Sequence, residues 1–226
     1  MFLYLRKINY RKMKKVFLSL AVISAISLVS CGGEKKEEGK KEEGEKPKVE
    51  EKKGVTGTFN VNKEESYISW KGWDNADPEG HMHFGKMKIN DGEVNVDNGV
   101  ITGGKFTFDV TSIYDVDSVG KTLDKLAGHF TQDDLFAQNS AGMPAFTITS
   151  VEEGVVKGDL VIAGKTSQVS MPANVEITEN GVTAMADKTD LSLTDFEMPF
   201  FAPGEDGTES TFSTTIKVGL NIVTSK

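Results

Sequence analysis

The residues able to do chemistry are few. The chain of 226 residues has three histidines, His81, His83 and His129, and one cysteine, Cys31. His81 and His83 are two apart, so on a strand they share a side, a spacing that binds a metal when a third ligand converges. His129 with Asp133 or Asp134 is the available third, but no pattern in the sequence brings these residues together. The expectation is therefore no metal, with His81 and His83 as surface residues and His129 as a structural hydrogen-bonding group. The carboxylate pairs are adjacent in sequence: Asp133-Asp134 reads as a helix start and Glu152-Glu153 as a solvated turn, so neither forms an acid/base pair held across a substrate. No G-x-S-x-G nucleophile or phosphate-cradling glycine loop occurs. The sequence thus points to binding rather than catalysis, with no catalytic residue and no cofactor. Trp70 and Trp73 could stack on a sugar or quinone ring, yet a strand tryptophan more often belongs to the core.

The cysteine has a context of its own. From Met13 the sequence runs MKKVFLSLAVISAISLVSCGG, with a basic start, an apolar run and a small residue before Cys31. This is the build of a secretory signal peptide, shorter than the roughly 20 apolar residues of a transmembrane span. Leu28-Val29-Ser30-Cys31 resembles the lipobox of bacterial lipoproteins, which implies a diacylglycerol on the Cys31 thiol and a mature chain starting there. Residues 1–30 then form the signal peptide, with translation starting at Met13. The expected location is the cell envelope, lipid-anchored to the outer membrane on its periplasmic or surface face. The rival is a single membrane anchor with a free thiol. With one cysteine no disulfide can form within the chain, so the core alone must hold the domain.

Residues 31–53 read as a disordered tether. Beyond Cys31 they hold eight lysines and eight glutamates, with only Val49 able to bury anything. Such a composition cannot offset the entropy of ordering, and it spaces a domain from a membrane surface. Residues 54–226 suit one domain. They carry twelve lysines, no arginine and 26 acidic residues, a formal charge of −14. That surface repels phosphate backbones, so nucleic acid is not an expected partner. Nothing in the sequence indicates an oligomeric state.

Alternation of apolar and polar residues dominates this domain. Phe212, Thr214, Ile216, Val218, Leu220 and Ile222 share one parity, as do Phe106, Phe108 and Val110, and the odd positions 169–177. These are half-buried antiparallel strands. Further strands are expected at 58–61, 67–73, 83–89, 146–151, 155–162 and 182–188. Turns are expected at Asp91-Gly92, Asn98-Gly99, Glu153-Gly154 and Asn180-Gly181, the second and fourth as tight hairpins with positive backbone angles. One helical segment is expected at 119–130, where Val119, Leu123, Leu126 and Phe130 follow spacings of four, three and four. Thr131 then caps a short turn through Asp133, Asp134, Leu135 and Phe136. The economical architecture is all-β, a closed or nearly closed antiparallel barrel of about eight strands with one inserted helical segment, since closure removes edges. A β-sandwich is the rival.

From Gly103 onward the order of short motifs is specific. GGKFTFDVTSI is followed by a helical link, then by GHFTQDDLF, MPAFTITSVE and GVVKGDLVIAGKTSQVSMPANVEI. Residues 58–223 resemble the YceI-like family, lipocalin-like bacterial envelope proteins whose members bind isoprenoid lipids. The resemblance rests on His129, Asp133, Asp134, Leu135 and Phe136; on Pro144, Phe146 and Ile148; on Gly158, Leu160, Ile162, Gly164 and Thr166; and on Val169 and Pro172. It departs at Trp70 to Phe84, which is longer and more polar. It departs again at residues 190–198, which lack the arginine and glycine of many relatives and lead into Phe200-Phe201-Ala202-Pro203-Gly204.

The resemblance implies a lipocalin-like barrel around a hydrophobic tunnel. Its wall would be Phe106, Phe108, Phe146, Ile148, Leu160, Ile162, Ile216 and Val218, with Leu126, Phe130 and Phe136 near the mouth. These side chains would otherwise simply fill the barrel as core. The function then expected is a non-enzymatic lipoprotein carrying or sequestering an isoprenoid-type lipid, a polyprenyl chain or a quinone. The rivals are a structural or stress-related envelope module with a filled barrel, and a metal-binding envelope protein using His81, His83 and His129.

Overall fold

The computed structural model describes residues 47–50, 54–79, 81–115, 128, 130–203, 207–208 and 210–226. Alternating segments form twelve strands: β1 (Val49–Glu50), β2 (Gly57–Val61), β3 (Tyr67–Trp73), β4 (Met82–Asp97), β5 (Val100–Phe108), β6 (Tyr114–Asp115), β7 (Ala145–Glu152), β8 (Val155–Ile162), β9 (Lys165–Pro172), β10 (Asn174–Ile177), β11 (Val182–Ser192) and β12 (Thr215–Ser225). Single 3-10 turns lie at Val110–Ser112, Thr194–Phe196 and Pro199–Phe201, and a short helix α1 at Gln138–Ala141. All of these strands and the core they bury fall within the compact unit Gly44–Lys226, which therefore has a hydrophobic core of its own.

Register resolves the twelve strands into eight staves. β2 and β3 both lie between β4 and β12, pairing Gly57↔Val96 and Thr224↔Val61 at one end and Tyr67↔Lys88 and Lys217↔Lys71 at the other. β5 and β6 both pair with the opposite edge of β4. β9 pairs with β8 and β10 with β11, with Ala173 alone between them. Three staves are thus broken in two, β1 is an added parallel strand on β10, and every other pairing is antiparallel. The ring closes because the stave of residues 165–177 belongs to β8 in its first half and to β11 in its second.

The interior is solid at the end of the barrel where β2 and β10 lie. Phe59 is fully buried, packed with Val94, Val96, Val175, Ile177, Val182 and Ile222. Glycines on the inward faces make room for large neighbours. A Cβ on Gly158 would overlap the Phe146 ring and the Thr147 carbonyl, and one on Gly92 the Phe106 ring.

Several expectations need correction. Asp91-Gly92 is no turn but the middle of the 16-residue β4, at a bulge against β5, and Gly92 is there to underlie Phe106. Asn98-Gly99 does form the tight hairpin, with φ of 50° and 84°. Asn180-Gly181 joins β10 to β11 without positive φ. Its glycine is required because a Cβ would overlap the Thr224 carbonyl. Residues 169–177, expected as one strand, change partner at Ala173. Val49, inside the segment expected to be disordered, packs against the core and adds β1. The turn expected after Thr131 is present, and the Thr131 hydroxyl donates backwards to the Gly128 carbonyl. The expected helix at 119–130 lies outside the described residues except for Gly128 and Phe130.

These close approaches predict a contrast. Gly158→Ala and Gly181→Ala should each destabilise by about 1–3 kcal/mol through overpacking. Gly103→Ala, whose Cβ meets nothing within 4 Å, should be neutral. Urea unfolding of the three variants measures the difference.

Candidate ligand-binding site

Beyond the solid end, the inward residues stop meeting across the barrel. They enclose a cavity of about 480 Å³. Its wall comes from alternate positions of the staves: Ile68 and Trp70 of β3, Met87 of β4, Phe108 of β5, Phe146 of β7, Leu160 and Ile162 of β8, Val169 of β9, Leu191 of β11, and Ile216, Val218 and Leu220 of β12. Of the 31 lining residues only His83, Ser170, Thr189, Asp190 and Ser213 have polar side chains.

Two loops close the far end with aromatic rings. Phe130 and Phe136 lie 5.8 Å apart, and Phe130 meets Trp70 edge-on at 5.7 Å. From the other loop Phe200 contacts Phe201 at 5.2 Å and Phe212 at 5.4 Å. The loops are stitched together where the Phe200 N–H donates to the Asp134 carbonyl at 2.8 Å. Trp70 is 8% exposed, and its Nε1–H finds no acceptor among the described residues.

Polar anchoring holds this plug to the staves. The Asp109 carboxylate accepts from the Thr111 N–H at 2.9 Å, the Thr111 hydroxyl at 2.6 Å and the Gln138 amide at 3.3 Å, while Gln138 Oε1 accepts from the Val110 N–H at 2.8 Å. Burial opposes ionisation of Asp109. The hydrogen bonds from Thr111 and Gln138, with the charge of Lys88, outweigh it and hold the pKa below the usual carboxylate value.

On the opposite rim Asp74 accepts from the Ala76 N–H at 2.8 Å and the Thr211 hydroxyl at 2.9 Å, with His81 Nδ1 3.4 Å away. The Ala76 N–H foremost, helped by Thr211 and His81 against burial, lowers the Asp74 pKa. The His81 ring lies 5.7 Å from His83 and 5.4 Å from Phe212. Among the described residues no three His, Cys, Asp or Glu side chains converge as a metal site. His81 instead ties the β3–β4 loop to the Phe212 segment, and His129 lies outside the described residues.

Residues 53–224 match the family model of the YceI-like domain. The chain belongs to the YceI-like family. Among solved structures it is similar to BcnA of Burkholderia cenocepacia, at 16% identity and a TM-score of 0.53, over 72% of this chain and 98% of that one. It is also similar to the YceI protein of Campylobacter jejuni, at 17% identity and a TM-score of 0.41, over 60% of this chain and 83% of that one. No curated protein matches the sequence. At these identities the likeness to BcnA is one of fold.

Within this YceI-like barrel, Phe108, Phe130, Phe136, Phe146, Leu160, Ile162, Ile216 and Val218 line the cavity. Phe106 and Ile148, expected on the tunnel wall, do not. Phe106 lies over Gly92, and Ile148 over Gly104, whose Cβ would stand 3.0 Å from the Ile148 Cδ1. Phe106 belongs to the buried core cluster and Ile148 packs against it. Leu126 and Cys31 fall outside the described residues. Sequence reasoning missed the plug, above all Met198, Phe200, Phe201 and Phe212. The available signal was a run of aromatics in a Pro- and Gly-containing loop, where exposed apolar surface calls for a partner.

The pH behaviour of Asp109 follows from its sign. Because its folded pKa is depressed, its contribution is present above the unfolded value of about 3.9 and is lost as pH falls through the folded pKa. Asp109→Ala should cost about 1 kcal/mol at pH 7, as expected for loss of the cap on Val110–Ser112. The difference from wild type should shrink in acid, which thermal unfolding across that pH range measures.

Proposed function

We propose that this YceI-like protein binds the apolar chain of an isoprenoid-type lipid, a polyprenyl chain or a quinone tail, inside its barrel. It is a non-enzymatic carrier or sequestering protein of the cell envelope, anchored through a lipid on Cys31 with residues 31–53 as its reach.

The observation that carries this reading is an apolar space of about 480 Å³ in a barrel that is solid elsewhere. Such a volume falls in the range of roughly 300–1,000 Å³ typical of small-molecule sites. Left without a ligand, its hydrocarbon wall forgoes the contacts that a packed core would make. A barrel serving only as a scaffold would fill it with larger side chains. A hydrocarbon chain recovers the loss, at about 25 cal/mol for each Å² withdrawn from water. Few polar groups line the space, which suits a ligand held by shape and apolar area.

Native mass spectrometry with organic extraction of Gly44–Lys226, purified without detergent from a bacterial envelope, should reveal a discrete apolar mass near one per chain. Trp70 and Trp73 are the only tryptophans of the chain and both line the cavity. A short-chain quinone should therefore quench intrinsic fluorescence saturably. A clean apo mass together with no quenching by quinones or prenols would favour the filled-barrel module and end this reading. For the anchor, labelled palmitate should enter the full-length chain and not Cys31→Ser.

A further inference from the structure

Among the described residues, β9 and β11 lie side by side without a ladder. β9 pairs only with β8, and β11 pairs with β10 only over Val182 to Met185. The remaining edge of β11, residues 186–192, therefore faces the free edge of β9, within 8 Å of it. The two are joined by side chains at the end of the seam, Lys165 to Glu197 at 2.6 Å and Ser167 to Asp195 at 2.7 Å.

Consecutive residues of a strand face opposite sides of a sheet. The cavity nevertheless touches Ser170 together with Met171, and Thr189 and Asp190 together with Leu191. The space thus reaches the edges of both strands at this seam, where no ladder closes the wall.

Three of the five polar lining residues, Ser170, Thr189 and Asp190, stand at the seam. Of the other two, Ser213 spends its hydroxyl on the backbone of Thr215, and the His83 ring meets His81 edge-on. The cations of the seam are engaged. Lys217 is held by Asp190 at 2.7 Å, Lys165 by Glu197, and Lys188 lies over the Phe84 ring at 5.7 Å. An anionic group arriving at Lys217 or Lys165 would compete with the carboxylate already there, on a domain of formal charge −14.

We propose that the polar end of the bound chain lies in the seam between β9 and β11 and that it is an uncharged oxygen group, a hydroxyl or carbonyl, rather than a phosphate or carboxylate. This rests on the chain-binding reading above and adds where the ligand's head sits and what it is.

Two measurements on Gly44–Lys226 test it. Geranylgeraniol and geranylgeranyl diphosphate share one chain, and by calorimetry the alcohol should bind at least about tenfold more tightly. Asp190→Asn, which frees Lys217, should narrow that preference. A geranylgeraniol analogue carrying a diazirine beside its hydroxyl should cross-link on irradiation to peptides containing Ser170 or Thr189. Diphosphate binding as tightly as the alcohol, or cross-links confined to the Phe200 and Phe212 plug, would overturn the proposal while leaving a prenyl-binding barrel in place. Binding of neither compound would overturn the container reading as well.

Discussion

Residues 165–177 give their backbone pairing to β8 before Ala173 and to β11 after it, and the position of that exchange governs the rest of the barrel. A stave laced on both sides along its whole length would draw the wall in evenly. Here each neighbour receives half. On the β10 side the wall is laced to β11, and Phe59, Val175, Ile177 and Val182 meet in a solid core. On the β9 side the lacing to β11 is absent, the wall stands off and the interior is hollow. Ala173 is the pivot, 2% exposed, with its N–H given to the Gly154 carbonyl at 2.8 Å.

The hollow is kept hollow by where the large side chains point. Gly92 and Gly104 accept the bulk of Phe106 and Ile148, so these two residues spend their volume on neighbouring strands, and Phe146, seated on Gly158, lines the space. At the open end the opposite choice is made. Two loops of unrelated sequence bring Phe130, Phe136, Phe200 and Phe212 together, and the hydrogen bond from Phe200 to Asp134 fixes them as one plug. Asp109 with Gln138 and Asp74 with Thr211 anchor its two sides. The polar networks of this protein hold the closure, and the wall of the cavity is left to hydrocarbon.

Much of this was readable from parity. An inward face declares itself by alternation, so β3 and β8 fall where the pattern puts them, and eight staves emerge from an expectation of about eight strands. What alternation cannot register is a change of partner. The run 169–177 keeps its period through Ala173, although its neighbour on the sheet changes there. Asp91-Gly92 has the composition of a turn, and only the Phe106 ring lying on Gly92 explains why the chain runs straight through. For the site, parity selects Phe106 and Phe108 alike. Whether an inward residue meets packed core or open space depends on what stands across the barrel from it, a relation between strands that parity does not carry. The plug was least readable because its aromatics sit in loops, where no periodicity announces a common destination.

The pairing of β12 with β2 and β3 has a consequence for timing. Phe59 and Trp70 lie near the front of the domain, but the edge of their stave away from β4 is covered only by residues 215–225. Hairpins such as β4–β5 or β7–β8 can form as they appear, whereas the ring stays open until β12 arrives. Until the last strand is free the chain is slack polypeptide with a few labile hairpins, and it acquires its bore in one late step, wherever residues 215–225 first become available to pair.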